Sequence, residues 1–349
     1  MDFFARQYGF VEGEPAVIIG EIGVNHNGDA VLAQRLVDVA ADAGVHIVKF
    51  QVFKSEEEIS RYAALTPYQQ ETAKYAANQL ELCKALELAR PALLDLAKYC
   101  EARRIGFLCS VFDFDSVDFL VDDLKVRALK VASGEVTNLP FLEYIGRCKV
   151  GVILSTGGCT LDEVRQALDV LRGSGCPELV LLHCVTSYPA PIGQLNLHAM
   201  KTLRQEFGLP TGFSDHSVGI EAAIAAVALG AVAIEKHFTL DRTMDGPDHR
   251  ASVEPDELKR LVEAVRLANE ALGDGIKRPA PCELPNLPLI RRSLVASRKL
   301  RKGETLTRDM ISIKRPAQGI EPKKLAAVIG RRLACDLEDD QPITWDCLV

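Results

Sequence analysis

The sequence predicts an α/β protein, a (β/α)8 TIM barrel followed by a small β-rich domain. Three observations carry this reading. Apolar, strand-like runs recur through residues 1–277, helical patterns alternate with them, and nearly every run finishes in polar or ionisable side chains. Strand–helix alternation implies parallel pairing. A barrel of this kind builds its active site at the C-terminal ends of its strands, so eight such endings describe one polar ring around one pocket.

The runs can be taken in order. AVIIGEIG ends at Glu21 and leads on to Asn25 and His26; HIVKFQ carries Lys49 and Gln51; FLCS reaches Ser110. ALKVASGE brings Lys130, Ser133 and Glu135, VILS ends at Ser155, and LVLLHC leads to Thr186 and Tyr188. TGFSDH supplies Ser214, Asp215 and His216, and AVAIEKH supplies Lys236 and His237. Between the first two runs, Leu32, Leu36, Val39 and Ala43 recur at helical spacing, and Gly44 follows where a left-handed cap ends a helix. Pro255 to Leu272 repeats the design with Leu258, Leu261, Val262 and Val265, Pro255 in the first turn and Gly273 beyond the end. Lys54 to Leu88 interrupts the alternation with a loop insertion containing Tyr62, Tyr68, Gln69, Tyr75 and Asn78, placed where substrate contacts or a lid are expected.

The alternation stops at RPAPCELPNLP, where four prolines in eleven residues exclude an ordinary helix. Three parts result: a barrel over 1–277, a proline-rich linker over 278–290, and a small β-rich domain over 291–349. So small a domain lies near the limit at which a core alone stabilises a fold, and packing on a barrel or a second subunit would help it.

Composition narrows the function. The 349 residues are 48% hydrophobic with a net charge of −7, which excludes disorder and argues against nucleic-acid binding. Lysines in the pocket of an acidic chain suit a small anionic metabolite. Ten cysteines without a C-x-x-C pair, some within apolar runs as at Cys109 and Cys184, point to buried thiols in a reducing cytoplasm. Met1 to Gly13 lacks the apolar core of a secretory leader, and no long uncharged apolar segment suggests a membrane span.

The chemistry follows from the strand ends. His216 and His237 close successive strands, so two imidazoles stand side by side and could ligate one divalent metal with positions left for water and substrate. The alternative is that each only hydrogen-bonds barrel backbone. Glu21, beside the eighth strand, would ligate the metal or orient a histidine. Lys49 and Lys130, with Ser110, Ser133, Ser155 and Ser214, form a phosphate and carboxylate clamp, unless the lysines snorkel to the surface. Glu135 is a general acid or base, or a salt-bridge partner of Lys49 or Lys130. His183, within an apolar run, reads as a core histidine, and His26 and His249 as weaker loop candidates.

EIGVNHNG, VKFQVFK, KVASGEVTNLP, ILSTGG, LLHCVTSYP, GFSDHSVG, EKHFTL and GPDHRAS together resemble the motif series of the sialic acid synthase family. RRSLVA, RKGE and IKRPAQGI resemble the antifreeze-like (SAF) domain that ends these synthases. The resemblance implies condensation of phosphoenolpyruvate with N-acetylmannosamine or a related acylamino sugar and water, giving N-acetylneuraminate and phosphate. The related product N,N′-diacetyllegionaminate fits SGE and SYPAP equally, whereas a pseudaminic acid synthase more often has SFE at Ser133 to Glu135. A silent carbohydrate-binding scaffold is the alternative of another class.

By position, the resemblance implies that His216 and His237 hold manganese, or magnesium or cobalt, with Glu21 beside them. Lys49, Ser110, Lys130, Ser133, Ser155, Thr186 and Ser214 would bind phosphoenolpyruvate. Gln51, Glu135, Tyr188 and Asp248 would face the sugar, with Glu135 transferring a proton. Arg315 would reach the sugar site of a second subunit, implying a domain-swapped homodimer. FLCSVFD departs from the family pattern by having Val111 where proline is usual, and CVTSYP by lacking the common asparagine at Val185 or Thr186.

Overall fold

Eight buried strand runs, each followed by a helix, close on themselves because a parallel sheet must cover both faces with apolar surface. The computed structural model describes residues 8–72 and 75–349; residues 1–7 of the Met1–Gly13 segment lie outside the described residues. The strands are β1 (Val17–Gly23), β2 (Ile47–Val52), β3 (Gly106–Val111), β4 (Ala128–Val131), β5 (Gly151–Ser155), β6 (Leu179–Cys184), β7 (Thr211–Asp215) and β8 (Ala233–His237). They form a closed barrel in sequence order, and β1 returns to pair with β8, setting Glu21 opposite His237.

Strand alternation separates two cores. Val17, Ile19, Ile47, Leu108, Ala128, Ile153, Val180, Leu182 and Ala233 fill the barrel interior. Their neighbours Ile18, Ile22, Val48, Phe50, Leu129, Val152, Leu154, Leu181, Phe213 and Ile234 face the helix layer. A Cβ on Gly212 would stand 2.6 Å from the Ala233 carbonyl oxygen, so only glycine lets β7 approach β8 this closely.

The helix Ala30–Ala43 starts where the Asp29 side chain accepts from the Val31 and Leu32 amides and ends at Gly44 with φ 82°. It buries Ala33, Leu36, Val37 and Ala40, a stripe rotated slightly from the expected one, leaving Leu32 and Val39 only half-buried. Pro255–Leu272 buries Leu258, Leu261 and Val265, as the spacing predicts.

The insertion between β2 and β3 is not the loop the sequence suggests. It contains the short helices Ser55–Glu58, Pro67–Thr72 and Gln79–Leu86 before the crossover helix Arg90–Arg103. Leu82, Leu86 and Ala76 pack with Val24 in a satellite core. Both ends are fastened through backbone amides, with Lys54 N donating to Asp113 Oδ2 at 2.8 Å and Ser55 N to Glu87 Oε1 at 2.8 Å. Asn78 caps the third of these helices, accepting from the Glu81 amide, and Tyr62 points into solvent.

The chain divides into two compact units, 1–273 and 274–349. In the second, the proline-rich stretch forms a 3-10 turn, Pro281–Asn286, and a short helix, Leu287–Ile290. β9 (Ser293–Ala296) pairs antiparallel with β10 (Ile311–Lys314) over a core containing Leu294, Leu300, Leu306, Val328, Leu337 and Ile343. Arg315 is exposed just beyond β10. Among the described residues no helix is long and apolar enough to cross a membrane.

Candidate active site

The inward positions at the C-terminal ends of the strands carry the chemistry. On the floor, Lys49 Nζ lies 2.8 Å from Glu21 Oε2 and 3.6 Å from Glu235 Oε2, and donates to Ser110 Oγ at 2.9 Å. Lys130 Nζ donates to Ser155 Oγ at 2.7 Å, and Ser214 Oγ donates to Glu235 Oε1 at 2.8 Å. All of these groups are buried. Seven β-strands therefore deliver a compact set of ammonium, carboxylate and hydroxyl groups away from water.

The charges are unevenly satisfied. Burial would raise the Glu235 carboxyl, but Lys130 and Lys49 outweigh it and hold its pKa at about 2. Burial raises the Glu21 pKa, and Glu235 adds to this against the opposing pull of Lys49. Burial would lower the Lys49 pKa, yet Glu21 and Glu235 raise it, whereas Lys130 is lowered, chiefly by burial. Lys130 makes no ion pair among the described residues; its contacts are the Ser155 hydroxyl and the Val131 carbonyl. A buried ammonium with donors nearby and no carboxylate of its own is the signature of an anion site.

The two histidines stand above this floor, ring centroids 5.5 Å apart. His216 Nδ1 is 2.8 Å from the Val185 carbonyl oxygen and must donate to it, so Nε2 carries the lone pair. Nε2 faces Ser214 Oγ at 3.3 Å, but that hydroxyl already spends its proton on Glu235. His237 Nδ1 is buried without a hydrogen-bond partner, 3.8 Å from Asp248 Oδ2. Burial lowers the His216 pKa to about 4 and that of His237 well below the usual histidine value, keeping both rings neutral. Neutral imidazoles with unengaged lone pairs fit a divalent cation. No group of three or more histidine, cysteine, aspartate or glutamate side chains converges as a ligand set among the described residues. Glu21 is instead committed to Lys49 and to Gln51, whose Nε2 donates to it at 3.2 Å.

Tyr188 joins the histidines to the pocket wall. Its ring lies 4.2 Å from His216, 5.8 Å from His237 in an edge-on arrangement, and 5.5 Å from Tyr68 of the insertion. Above them, a cavity of about 250 Å3 is bounded by Gln51, Tyr68, Gln69, Gln79, Tyr188, His237 and Asp248, with an apolar wall that includes Phe53, Ile59, Leu82 and Phe112. Burial, and then Glu21, raise the Asp248 pKa to about 7. Ser133 and Thr186 hydroxyls meet at 3.2 Å beside Gly157, where a Cβ would stand 2.4 Å from Thr186 Oγ1 and 3.3 Å from Ser133 Oγ. The glycine thus keeps a hydroxyl-lined recess open.

Several expected residues lie elsewhere. Asp215 and Lys236 leave the polar ring: they face the helix layer and pair with each other at 2.9 Å, fully buried. Glu135 forms no ion pair with Lys49 or Lys130; its Oε2 accepts from Asn138 Nδ2 at 2.8 Å. His183 is half-buried and bonded to the Leu195 carbonyl, as a core histidine should be. Asn25 donates to the Phe238 carbonyl and to Ser252 Oγ, bracing the loop after β8. Arg315 belongs to the second unit. Glu235 is the residue that sequence reading passed over; its place two positions before His237, on the same face of β8, was the available signal.

His26 and His249 are braces with a pH consequence. His26 Nδ1 accepts from the Gly28 amide at 3.0 Å, and His249 lies 2.7 Å from Thr239 Oγ1. Burial depresses both pKa values to about 4. Between pH 6.5 and 4 the unfolded chain takes up protons that the folded chain refuses, so stability is complete above pH 6.5 and falls as pH drops, by about 1.4 kcal/mol per pH unit for each histidine. Urea midpoints measured from pH 7 to 4.5 should decline, and His26→Gln should flatten the decline; an unchanged slope would remove this assignment.

The NeuB family model matches residues 36–277 and the SAF domain model matches residues 291–349. The chain is 44% identical over 329 residues to the N,N'-diacetyllegionaminic acid synthase of Campylobacter jejuni, covering 94% of this chain and 98% of that protein. It is 34% identical to the human N-acetylneuraminate-9-phosphate synthase, covering 94% and 91%. The crystal structure of an N-acetylneuraminic acid (sialic acid) synthetase from Leptospira borgpetersenii in complex with citrate superposes with a TM-score of 0.70 at 36% identity, covering 78% of this chain and 90% of that one. The chain is an enzyme of the NeuB family, with a SAF domain at its C-terminal end.

Proposed function

We propose that the chain condenses phosphoenolpyruvate with open-chain 2,4-diacetamido-2,4,6-trideoxymannose and water, giving N,N′-diacetyllegionaminate and phosphate. The observation that carries the anion half is Lys130, buried beside the Ser155 hydroxyl with no carboxylate partner among the described residues. The acceptor half rests on the cavity above the histidines, in which, among the described residues, no lysine or arginine lines the wall and apolar side chains face the space. Such a wall suits a deoxy, N-acylated sugar better than a sugar phosphate. The 44% identity to a legionaminic acid synthase, against 34% to the human 9-phosphate synthase, supports the same choice. Gln69 and Gln79, whose side-chain amides meet at 3.4 Å in that wall, favour N-acetylmannosamine as the second reading.

In this reading Lys49, Lys130, Ser110, Ser133, Ser155, Thr186 and Ser214 bind phosphoenolpyruvate, and Gln51, Tyr188 and Asp248 orient the sugar. His216 and His237 would hold a divalent metal, manganese first, with magnesium or cobalt as alternatives. When bound, it would supply Lewis-acid polarisation of the sugar aldehyde. The methylene carbon of phosphoenolpyruvate bonds to the aldehyde carbon, whose oxygen gains a proton. Water adds to the former enol carbon and loses both protons in turn, one balancing the proton taken by the aldehyde oxygen and one going to the phosphate, as the C–O bond to phosphate breaks with its electron pair on the leaving oxygen and the keto group forms. Glu135, in the turn that follows β4, is the proton-transfer group. Phosphoenolpyruvate supply places the reaction in the cytoplasm.

Phosphate release with Mn2+ should be fastest with the diacetamido sugar. Preference for N-acetylmannosamine would make the product N-acetylneuraminate, and release with neither would favour a silent scaffold. The second unit completes the site in a domain-swapped homodimer by lending Arg315 to the partner's sugar. Arg315→Ala should raise the KM for sugar about tenfold with little change for phosphoenolpyruvate. Mixing Arg315→Ala with His237→Ala subunits should then restore turnover above either variant alone; no recovery would remove the swap.

A further inference from the structure

Directly behind the two histidines, on the opposite face of the same strands, sits an ion pair that makes no contact with the pocket. Lys236 Nζ is 2.9 Å from Asp215 Oδ2, and both side chains are 0% exposed. Lys236 also donates to the Ser217 carbonyl oxygen, while Asp215 Oδ1 accepts from the Ser217 amide at 2.9 Å and hydroxyl at 2.6 Å. The residues on both sides of His216 are thus tied to the residue just before His237. Asp215 and Lys236 are register partners across β7 and β8, so the tie closes at the point where the strands release their imidazoles.

A buried ion pair is a poor source of stability, because its desolvation cost offsets its attraction and apolar replacements of similar size are often neutral. What such a pair supplies is a fixed geometry. We infer that Asp215, Lys236 and Ser217 form a positioning unit that sets the separation and orientation of His216 and His237 for a shared divalent cation. The inference rests on the proposed metal role of those two histidines. Without the tie, the chain at 215–217 can rotate, which moves His216 Nε2 while leaving the Lys49 and Lys130 floor in place. Residues that only orient metal ligands typically contribute 10–100-fold in affinity.

The test is Mn2+ binding to the full-length chain without substrates, read by electron paramagnetic resonance of the free ion. The size-matched double variant Asp215→Leu/Lys236→Met should keep the parent's circular dichroism and thermal midpoint, bind Mn2+ roughly 10–100-fold more weakly, and bind phosphoenolpyruvate as the parent does. Lys236→Arg, which keeps charge and donors, should recover most of the affinity. If the double variant proves insoluble, Asp215→Asn replaces it, with a loss of about tenfold expected. Parent-like Mn2+ affinity in a folded double variant, alongside lost binding in His216→Ala and His237→Ala, would overturn the positioning unit alone. Unchanged binding in the histidine variants would overturn the metal reading and this inference with it.

Discussion

Replacing His237 by alanine lowers Mn2+ affinity by about 100-fold or more and removes turnover with it, because groups that merely support a metal ligand already account for ~10–100-fold. His237 Nδ1 is buried with no hydrogen-bond partner, and burial holds the ring unprotonated. An orphaned ring nitrogen in a desolvated site is costly unless a ligand engages the imidazole. His216 presents its Nε2 lone pair nearby, 3.3 Å from the Ser214 hydroxyl, since its other nitrogen is committed to the Val185 carbonyl. Mn2+ titration and phosphate release in metal-depleted buffer check this together. Retained affinity and unchanged turnover would sink the metal assignment.

Glu235→Gln should produce the largest loss of stability of any single change on the pocket floor. The carboxylate lies 3.6 Å from Lys49 and accepts from Ser214, and Lys130 and Lys49 hold its pKa at about 2. Neutralising it breaks the buried pair with Lys49 and removes the negative field felt by Lys130, and breaking a buried pair costs about 3–5 kcal/mol. Glu21 still faces Lys49 at 2.8 Å, which places the expected loss near the lower end, about 3 kcal/mol. Saturating phosphoenolpyruvate should restore part of that loss, so ligand-induced thermal stabilisation should be larger in the variant than in the parent. A urea midpoint equal to the parent's would show that Glu235 does not balance the lysines.

The two expectations rest on different kinds of legibility. The barrel was readable because eight apolar runs alternate with helical patterns, and local signals such as Asp29, Gly44 and Pro255 mark the helix ends. Lys49, Ser110, Lys130 and Ser155 were readable because each interrupts or ends an apolar strand run as a polar residue with an apolar neighbour before it. The insertion was less so. Its helices are short and take their order from packing on Val24 and from amides captured by Asp113 and Glu87, partners 59 and 32 residues away in sequence.

What the sequence by itself determined was the alternation of strand and helix, the barrel it implies and the small β-rich domain that follows. It also determined which residue types end the strands, through hydrophobic period and capping chemistry, which are local. What only the tertiary structure decided was the facing of consecutive polar residues. In SDH and EKH several polar side chains follow one another, so the period of two has no apolar reference within the motif. Closure of β7 on β8 and β8 on β1 turns Ser214, Glu235 and His237 inward and sends Asp215 and Lys236 to the helix layer. The physical reason is that burying opposite charges requires each to find its partner, and those partners are set by strand register rather than by neighbours in the chain.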